Sequence, residues 1–172
     1  MRRRHPEYTS TLIERGALCF PFEVIFKVPE AIPDLEQATR CLAYELPTAA
    51  GFHLHRANEA VLRKYWDAVT TNATRPPSRN MGDYLNEMDQ RNVGDPKVKS
   101  ALKDLKDLHR NPLIHPEDSL SMDEAVALLS GIYTVMVHML KAMPEPEATL
   151  PLPLGPRPTA LEASTALTNV GS

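Results

Sequence analysis

The sequence predicts an all-α fold: an antiparallel up-and-down bundle of four main helices with one short extra helix. Between residues 34 and 143, apolar residues recur every three or four positions, which is the period of an amphipathic helix. Prolines and helix-capping residues separate the periodic segments. With 42% hydrophobic and 24% charged residues, the composition is that of a soluble globular protein. The 172 residues suffice for one domain with short extensions.

Residues 1–33 are predicted to form an extended N-terminal segment outside the bundle. The run LCFPFEVIFKV, residues 18–28, alternates apolar with mostly polar residues, which is the period of a β-strand, and Pro21 favours an edge position. A single strand would have to pair with a second copy or another chain, or lie across the helices. It could also be the remnant of a larger upstream domain. The basic start, MRRRHPEYTS, lacks the apolar run of a signal peptide.

The first two bundle helices are predicted over residues 34–46 and 48–70. Asp34 is expected to cap the first helix, Pro47 to close it, and Thr48 to cap the second. The apolar face of the first helix is Leu35, Ala38, Cys41 or Leu42, and Leu46. The second carries Leu54, Ala57, Val61, Tyr65 and Ala68 on one stripe, with Phe52, Leu62, Trp66 and Val69 beside it.

A short helix is expected at about 81–91, followed by two longer ones. Asp95 and Pro96 form an N-cap and a first helical residue. The helix that they start buries Val98, Leu102, Leu105 and Leu108. Ser121 and Glu124 form a capping box for the last helix, whose apolar positions are 125, 129, 132, 136, 139 and 143. His138 is predicted to be a core histidine.

Residues 144–172 are rich in proline and are predicted to be a disordered tail. The uncharged run 125–140 is short for a membrane span, which favours a buried helix and no membrane association. Two cysteines cannot form a disulfide framework, and no Cys/His cluster has the spacing of zinc ligands. We therefore expect a reduced, cytoplasmic protein without a metal or another cofactor. Its net charge of −3 restricts any nucleic-acid contact to a local basic patch.

Two prolines shape the connection between the last two main helices, HRNPLIHPED. Pro112 has no N–H and disfavours helix at Asn111, so the preceding helix should end near Arg110. The bend would let His115 face back toward Arg110. An arginine and a histidine at such a spacing arise by chance about once in a chain of this composition. The position of the pair in the helix order therefore carries more weight than the motif alone.

The stretch RNPLIHPEDSLSMDEAVALL resembles the signature of the HEPN superfamily, an arginine followed after four to six residues by a histidine. Upstream, LPTAAGFHLHRANEAVLRKYW is similar to the first long helix of bacterial HEPN proteins, so the resemblance spans residues 34–143. It implies a metal-independent endoribonuclease, often a toxin or defence effector, with an active site built across a homodimer. The implied regulator is an inhibitory antitoxin of the nucleotidyltransferase type, or an upstream domain.

The residue types suit that chemistry. His115 can act as base for the attacking 2′-OH or as acid for the leaving 5′-oxygen, because an imidazole titrates near neutrality. Arg110 can hold the charge that develops on the phosphate oxygens. In the family the residue after the arginine is often polar, and here it is Asn111. The resemblance implies that Asn111 orients the phosphate or holds the loop. Two copies of the pair in a dimer would supply both a base and an acid.

Several further residues are weaker candidates. Lys99, Lys103 and Lys106 share a helix face with Arg110 and could guide an RNA backbone, or could form an ordinary solvated face. Arg56 and Glu59 are either part of a ladder of surface ion pairs or close to the partner subunit. His109 adjoins the motif or is simply a surface residue. The alternative function is a non-catalytic helical module of the same fold that binds nucleotide, RNA or a partner protein.

Overall fold

The computed structural model describes residues 6–78, 80–107 and 119–145, with side chains described from Ser10 onward. These residues are mostly helical and contain no β-strand, which confirms the predicted all-α class. The described α-helices are α1 Pro6–Glu14, α2 Val24–Lys27, α3 Ile32–Ala43, α4 Pro47–Val69, α5 Met81–Gln90, α6 Pro96–Leu105 and α7 Met122–Ala142. Two 3₁₀ turns, Gly16–Cys19 and Pro29–Ala31, lie on either side of α2.

The predicted strand over residues 18–28 is wrong, because this run forms a 3₁₀ turn followed by α2. Phe20, Val24 and Val28 are buried, whereas Phe22 is 62% exposed and Phe26 is 57% exposed. A run with an apolar residue at every second position also has one at every fourth position. The same run can therefore form a helix with one row of apolar residues along a single face. That row packs on the bundle, and residues 16–31 therefore cover the core instead of extending away from it.

The ends of α3 and α4 also differ from the prediction. Ala31 occupies the N-cap position of α3, so Asp34 lies inside the first turn and is not the cap. Leu46 occupies the N-cap position of α4, and Pro47 opens that helix instead of closing α3. Proline suits this position because the first N–H groups of a helix have no intrahelical acceptor. Leu46, expected on the apolar face of α3, is 53% exposed in the connection.

The long helix α4 is the centre of the fold and packs against α3 and α7. Leu54, Val61 and Tyr65 of its predicted stripe are buried, and so is Trp66 beside it. Phe52, also predicted to be apolar and internal, is 46% exposed.

Helices α4 and α7 run in the same direction. At one end, Ala50 and Ala125 belong to one buried cluster. At the other end, Ala68 and Met143 line the same cavity. The first turns of these two helices therefore lie at the same end of the bundle, beside the end of the α6–α7 connection.

Helices α5 and α6 begin at asparagine and aspartate caps. Asn80 Oδ1 accepts a hydrogen bond from Asp83 N–H at 3.0 Å. Asp95 Oδ1 accepts one from Lys97 N–H at 2.7 Å, which confirms the predicted cap of α6. The apolar face of α6 is buried as predicted at Val98, Leu102 and Leu105.

Helix α7 has the predicted capping box, with both reciprocal hydrogen bonds between Ser121 and Glu124. Its inner face is buried at Ala125, Leu128, Ile132, Val135, Met136, Met139 and Leu140. His138 is exposed, so the prediction of a core histidine is wrong. Position 138 is rotated by about 120° around the helix axis from Ile132, so it faces away from the core although its sequence neighbours are apolar.

By length and composition alone, α7 is the one helix of the described residues that could cross a membrane. Its most apolar window is 39% buried within this chain. At its C-terminal end, Glu145 contacts Lys27. Residues 146–172 lie outside the described residues, and the disordered tail stays a prediction.

Candidate functional site

The predicted catalytic residues Arg110, Asn111 and His115, and the adjoining His109, lie outside the described residues. The structure describes both flanks of the segment that carries them. On one side, α6 continues through Lys106 to Asp107 in a wider helical turn. On the other side, the chain is described again from residue 119 onward.

The end of this connection is held at the first turns of α4 and α7. Leu120 N–H donates a hydrogen bond to Thr48 Oγ1 at 3.0 Å. The next N–H, that of Ser121, donates to Glu124 Oε2 at 2.7 Å. Two helix N-termini therefore meet where the connection ends, and helix N-termini favour anionic groups such as phosphate.

The three lysines predicted to bind RNA lie together on α6. Lys99, Lys103 and Lys106 all line a surface cavity of about 390 Å³ between α5 and α6. Lys99 Nζ lies 2.7 Å from Asp89 Oδ1, and Lys106 Nζ lies 3.3 Å from Asp107 Oδ1. Lys103 is exposed. The cavity is thus basic, but two aspartates offset much of the charge of the three ammonium groups.

The weak candidates on α4 form a link to α3. Arg56 is 70% exposed, and its Nε lies 3.2 Å from Asp34 Oδ2. The other oxygen of Asp34 lies 2.8 Å from Nδ1 of His53. Glu59 is half-buried one turn after Arg56. The structure therefore places Arg56 in an ion pair between helices, next to a histidine that the sequence analysis did not single out.

Asp67, in the last turn of α4, forms a two-pronged ion pair with Arg75 in the loop that follows. Both nitrogens of the Arg75 fork donate to the carboxylate of Asp67. This hydrogen bonding raises the pKa of Arg75. The pair fixes the loop after α4 and uses both groups for structure.

Two buried polar side chains on α4 were missed from the sequence. His55 is 5% exposed, and Asn58, one turn later, is fully buried. Within the described residues, neither polar atom of the Asn58 amide has a hydrogen-bond partner. Their burial could have been predicted, because both lie on one helical stripe with Gly51 and Leu62, at intervals of three or four residues.

The cysteines are not activated nucleophiles. Cys19 and Cys41 are unpaired with one another and only partly exposed. Burial raises the pKa of both thiols, which lowers the thiolate fraction at neutral pH.

A second cavity, of about 470 Å³, lies at the opposite end of the bundle from the connection. Its lining includes Phe26, Lys27, Lys64, Asp67 and Glu145. Lys27 uses its ammonium group within the fold, where it donates to Glu145 Oε1 at 2.9 Å. Among the polar groups around this cavity, Lys27 and Glu145 join the N-terminal segment to the end of α7.

Within the part of the chain that the structure describes, no three His, Cys, Asp or Glu side chains are grouped so that they could hold a metal ion. Comparison of the sequence and the fold with protein-family models, curated proteins and solved structures gave no match.

Proposed function

We propose that this protein is a cytoplasmic, metal-independent endoribonuclease of the HEPN type that acts as a homodimer. The observation that carries the proposal is the order of the elements. In the sequence, Arg110 and His115 lie between the lysine-bearing helix α6 and the capped helix α7. The described end of their segment is bonded to the first turn of α4, the long helix whose sequence resembles the family.

In the proposed reaction, the ribose 2′-oxygen attacks the adjacent phosphorus and the bond from phosphorus to the 5′-oxygen breaks. One imidazole takes the 2′-OH proton, and an imidazolium gives a proton to the leaving 5′-oxygen. His115 supplies these groups, and Arg110 stabilises the charge on the nonbridging oxygens. Asn111 orients the phosphate. The products are a 2′,3′-cyclic phosphate and a 5′-hydroxyl, and no step requires a metal ion.

The lysines of α6 are the proposed RNA contacts. Lys103 is exposed, and Lys99 and Lys106 lie on the same cavity within about one turn of it on either side. Phosphate groups would compete with Asp89 and Asp107 for these ammonium groups. Binding should therefore weaken steeply as the salt concentration rises.

The test is cleavage of total RNA by the full-length protein in EDTA. His115→Ala and Arg110→Ala should each lower the rate by about 10²–10⁴, the usual loss for a positioned catalytic group. Arg110→Lys should also be poor, because an ammonium group cannot reproduce the two-pronged contact of a guanidinium. The matched controls are His53→Ala and Arg91→Ala, which remove the same side chains outside the motif and should keep the activity.

A requirement for magnesium, or activity that persists in both motif variants, would refute the assignment. RNA binding without cleavage by the wild type would support the non-catalytic module instead. In that case Lys103→Glu should weaken binding, whereas His115→Ala should not. An inhibitory partner of the nucleotidyltransferase type belongs to the proposal by resemblance, and would be detected as a protein that suppresses the cleavage.

A further inference from the structure

The N-terminal segment has two rows of apolar side chains that point in opposite directions. One row is buried against the bundle, whereas the other row, Leu18, Phe22 and Phe26, is more than half exposed at each position. We call these three residues the outer row. The rings of Phe22 and Phe26 contact one another edge to face, with their centroids 5.2 Å apart. Large apolar side chains grouped in this way on a solvent-facing surface indicate an interaction site.

One end of the outer row lies where the described part of the chain ends. Phe26 lines the cavity of about 470 Å³ together with Met143 and Pro144. Glu145 lines the same cavity, and its carboxylate lies 2.9 Å from Lys27 Nζ. Because Lys27 directly follows Phe26 in the chain, this ion pair holds the residues after Glu145 close to the outer row.

The sequence that follows has a composition that suits an aromatic surface. Residues 150–158 read LPLPLGPRP, with proline at positions 151, 153, 156 and 158. We call residues 150–154 the Leu-Pro run. Proline fixes φ near the value of a polyproline II helix, so the run favours this conformation before it binds. Such a helix has three residues per turn, and each of its three edges carries only leucine or proline within the run.

We propose that the Leu-Pro run of the same chain binds the outer row as a short polyproline II helix. Proline-rich segments typically bind surfaces that are lined by aromatic side chains, and they lose little conformational entropy because the helix is formed in advance. Neighbouring residues on one edge of the helix are about 9 Å apart, since the rise is about 3.1 Å per residue. An interval of this length reaches across both the Phe22 and the Phe26 ring.

The connecting residues are long enough for this contact. Residues 146–149 lie between Glu145 and Leu150, and an extended chain of this length reaches about 17 Å. A short linker keeps the Leu-Pro run at an effective concentration on the order of millimolar beside the outer row. A weak contact is therefore populated within one chain, and bound and free tails coexist. The predicted disorder of residues 144–172 then applies to the free state and to the residues outside the run.

A second copy of the chain is the less favourable source of the Leu-Pro run, because its tail has no linker to the outer row and gains no effective concentration. The inference is independent of the proposed ribonuclease activity. The outer row adjoins the cavity at one end of the bundle, whereas the connection that carries Arg110 and His115 returns to the other end, at Thr48. The contact therefore leaves that end of the bundle free for the proposed dimer.

The test is NMR spectroscopy of the full-length protein with labelled leucine methyl groups and phenylalanine rings. We expect nuclear Overhauser effects between the methyl groups of the Leu-Pro run and the ring protons of Phe22 and Phe26. Phe22→Ala and Phe26→Ala should each lower the equilibrium constant for binding of the tail, measured from the methyl shifts, by about fivefold, because each removes apolar area that the contact buries. The matched control is Phe52→Ala, at a position of α4 that is 46% exposed, which should leave the tail shifts unchanged.

Changes in the tail give a second test, away from the buried clusters. Pro151→Gly combined with Pro153→Gly keeps the length of the chain but removes its preference for polyproline II, and should abolish the Overhauser effects. Pro156→Gly, outside the Leu-Pro run, should keep them. The proposal is overturned if the tail methyl shifts are the same in the wild type and in Phe22→Ala. Overhauser effects that arise only between labelled and unlabelled chains would assign the run to a second copy and also overturn it.

Discussion

The hydroxyl of Tyr65 joins two helices through one hydrogen bond. It accepts from the Asp95 backbone N–H at 2.7 Å, and so ties α4 to the start of α6. Burial is the main cause that raises the pKa of Tyr65 above its ordinary value. The neutral phenol is therefore favoured by folding. Its contribution to stability is complete below pH of about 10 and is lost as the pH rises from there through the folded-state pKa.

We expect Tyr65→Phe to lower the free energy of unfolding at pH 7 by about 1 kcal/mol, because the Asp95 N–H loses its acceptor. The variant should also lose less stability than the wild type as the pH rises above about 10, the ordinary tyrosine pKa. Urea denaturation at several pH values measures both effects. Tyr44→Phe, at a residue that is 64% exposed, is the control and should change neither.

Gly16 is required by the close approach of the N-terminal 3₁₀ turn to α3. A Cβ atom at this position would lie 1.7 Å from Thr39 Oγ1 and 2.8 Å from Thr39 Cβ. The hydroxyl cannot move away freely, because it is bonded to the Glu36 carbonyl oxygen at 3.0 Å.

Gly16→Ala should therefore lower the free energy of unfolding by about 1–3 kcal/mol, the usual cost of overpacking. Gly82→Ala is the matched control, since its Cβ would meet no atom closer than 3.2 Å. Thermal unfolding should show a clear loss for the first variant and a much smaller change for the second. Equal effects would contradict the role assigned to the Gly16 contact.

Among the elements, α7 depends on different contacts at its two ends. Its N-terminus is satisfied locally by the Ser121 and Glu124 capping box. Its C-terminus is held by Lys27, whose ammonium group donates to the carbonyl oxygens of Leu140 and Met143, both at 3.2 Å. A cation at this position also interacts favourably with the helix dipole.

Lys27→Met should lower the free energy of unfolding by about 2 kcal/mol, because it removes hydrogen bonds from a charged donor whose side chain is only 6% exposed. Chemical denaturation measures the loss. The Lys64 side chain is 42% exposed and its ammonium group lies 3.7 Å from Glu30, so Lys64→Met should cost less than about 1 kcal/mol. A Lys27 variant as stable as the Lys64 variant would show that the contact contributes little.

For the whole molecule, a chain truncated after Glu145 should still melt in one cooperative transition. The buried clusters consist of residues between Cys19 and Met143, and Glu145 keeps its contact with Lys27. Circular dichroism during heating tests this expectation. A broad transition, or a loss of helical signal in the truncated chain, would refute the predicted domain boundary.

The features predictable from the sequence are those that neighbouring residues determine. Asp95 and Ser121 cap their helices as expected because a cap needs only residues within one turn. The prediction for residues 18–28 is wrong because apolar residues at every second position are compatible with both a strand and a helix. Only the contact of this segment with the bundle favours the helix. Lys27 could not be identified either, since its acceptors lie more than 100 residues away. Arg110 and His115 lie outside the described residues, so their site stays a prediction from the sequence.

The contacts of Lys27 also constrain when the fold can be completed during synthesis. Its acceptors follow it in the chain by 113, 116 and 118 residues. The ribosome synthesises the N-terminal segment first and the end of α7 much later. The Lys27 ammonium group therefore stays hydrated until its acceptors have been synthesised. Helices α3 and α4 can pair early because they are adjacent in the chain, whereas closure of the Lys27 end must be a late event.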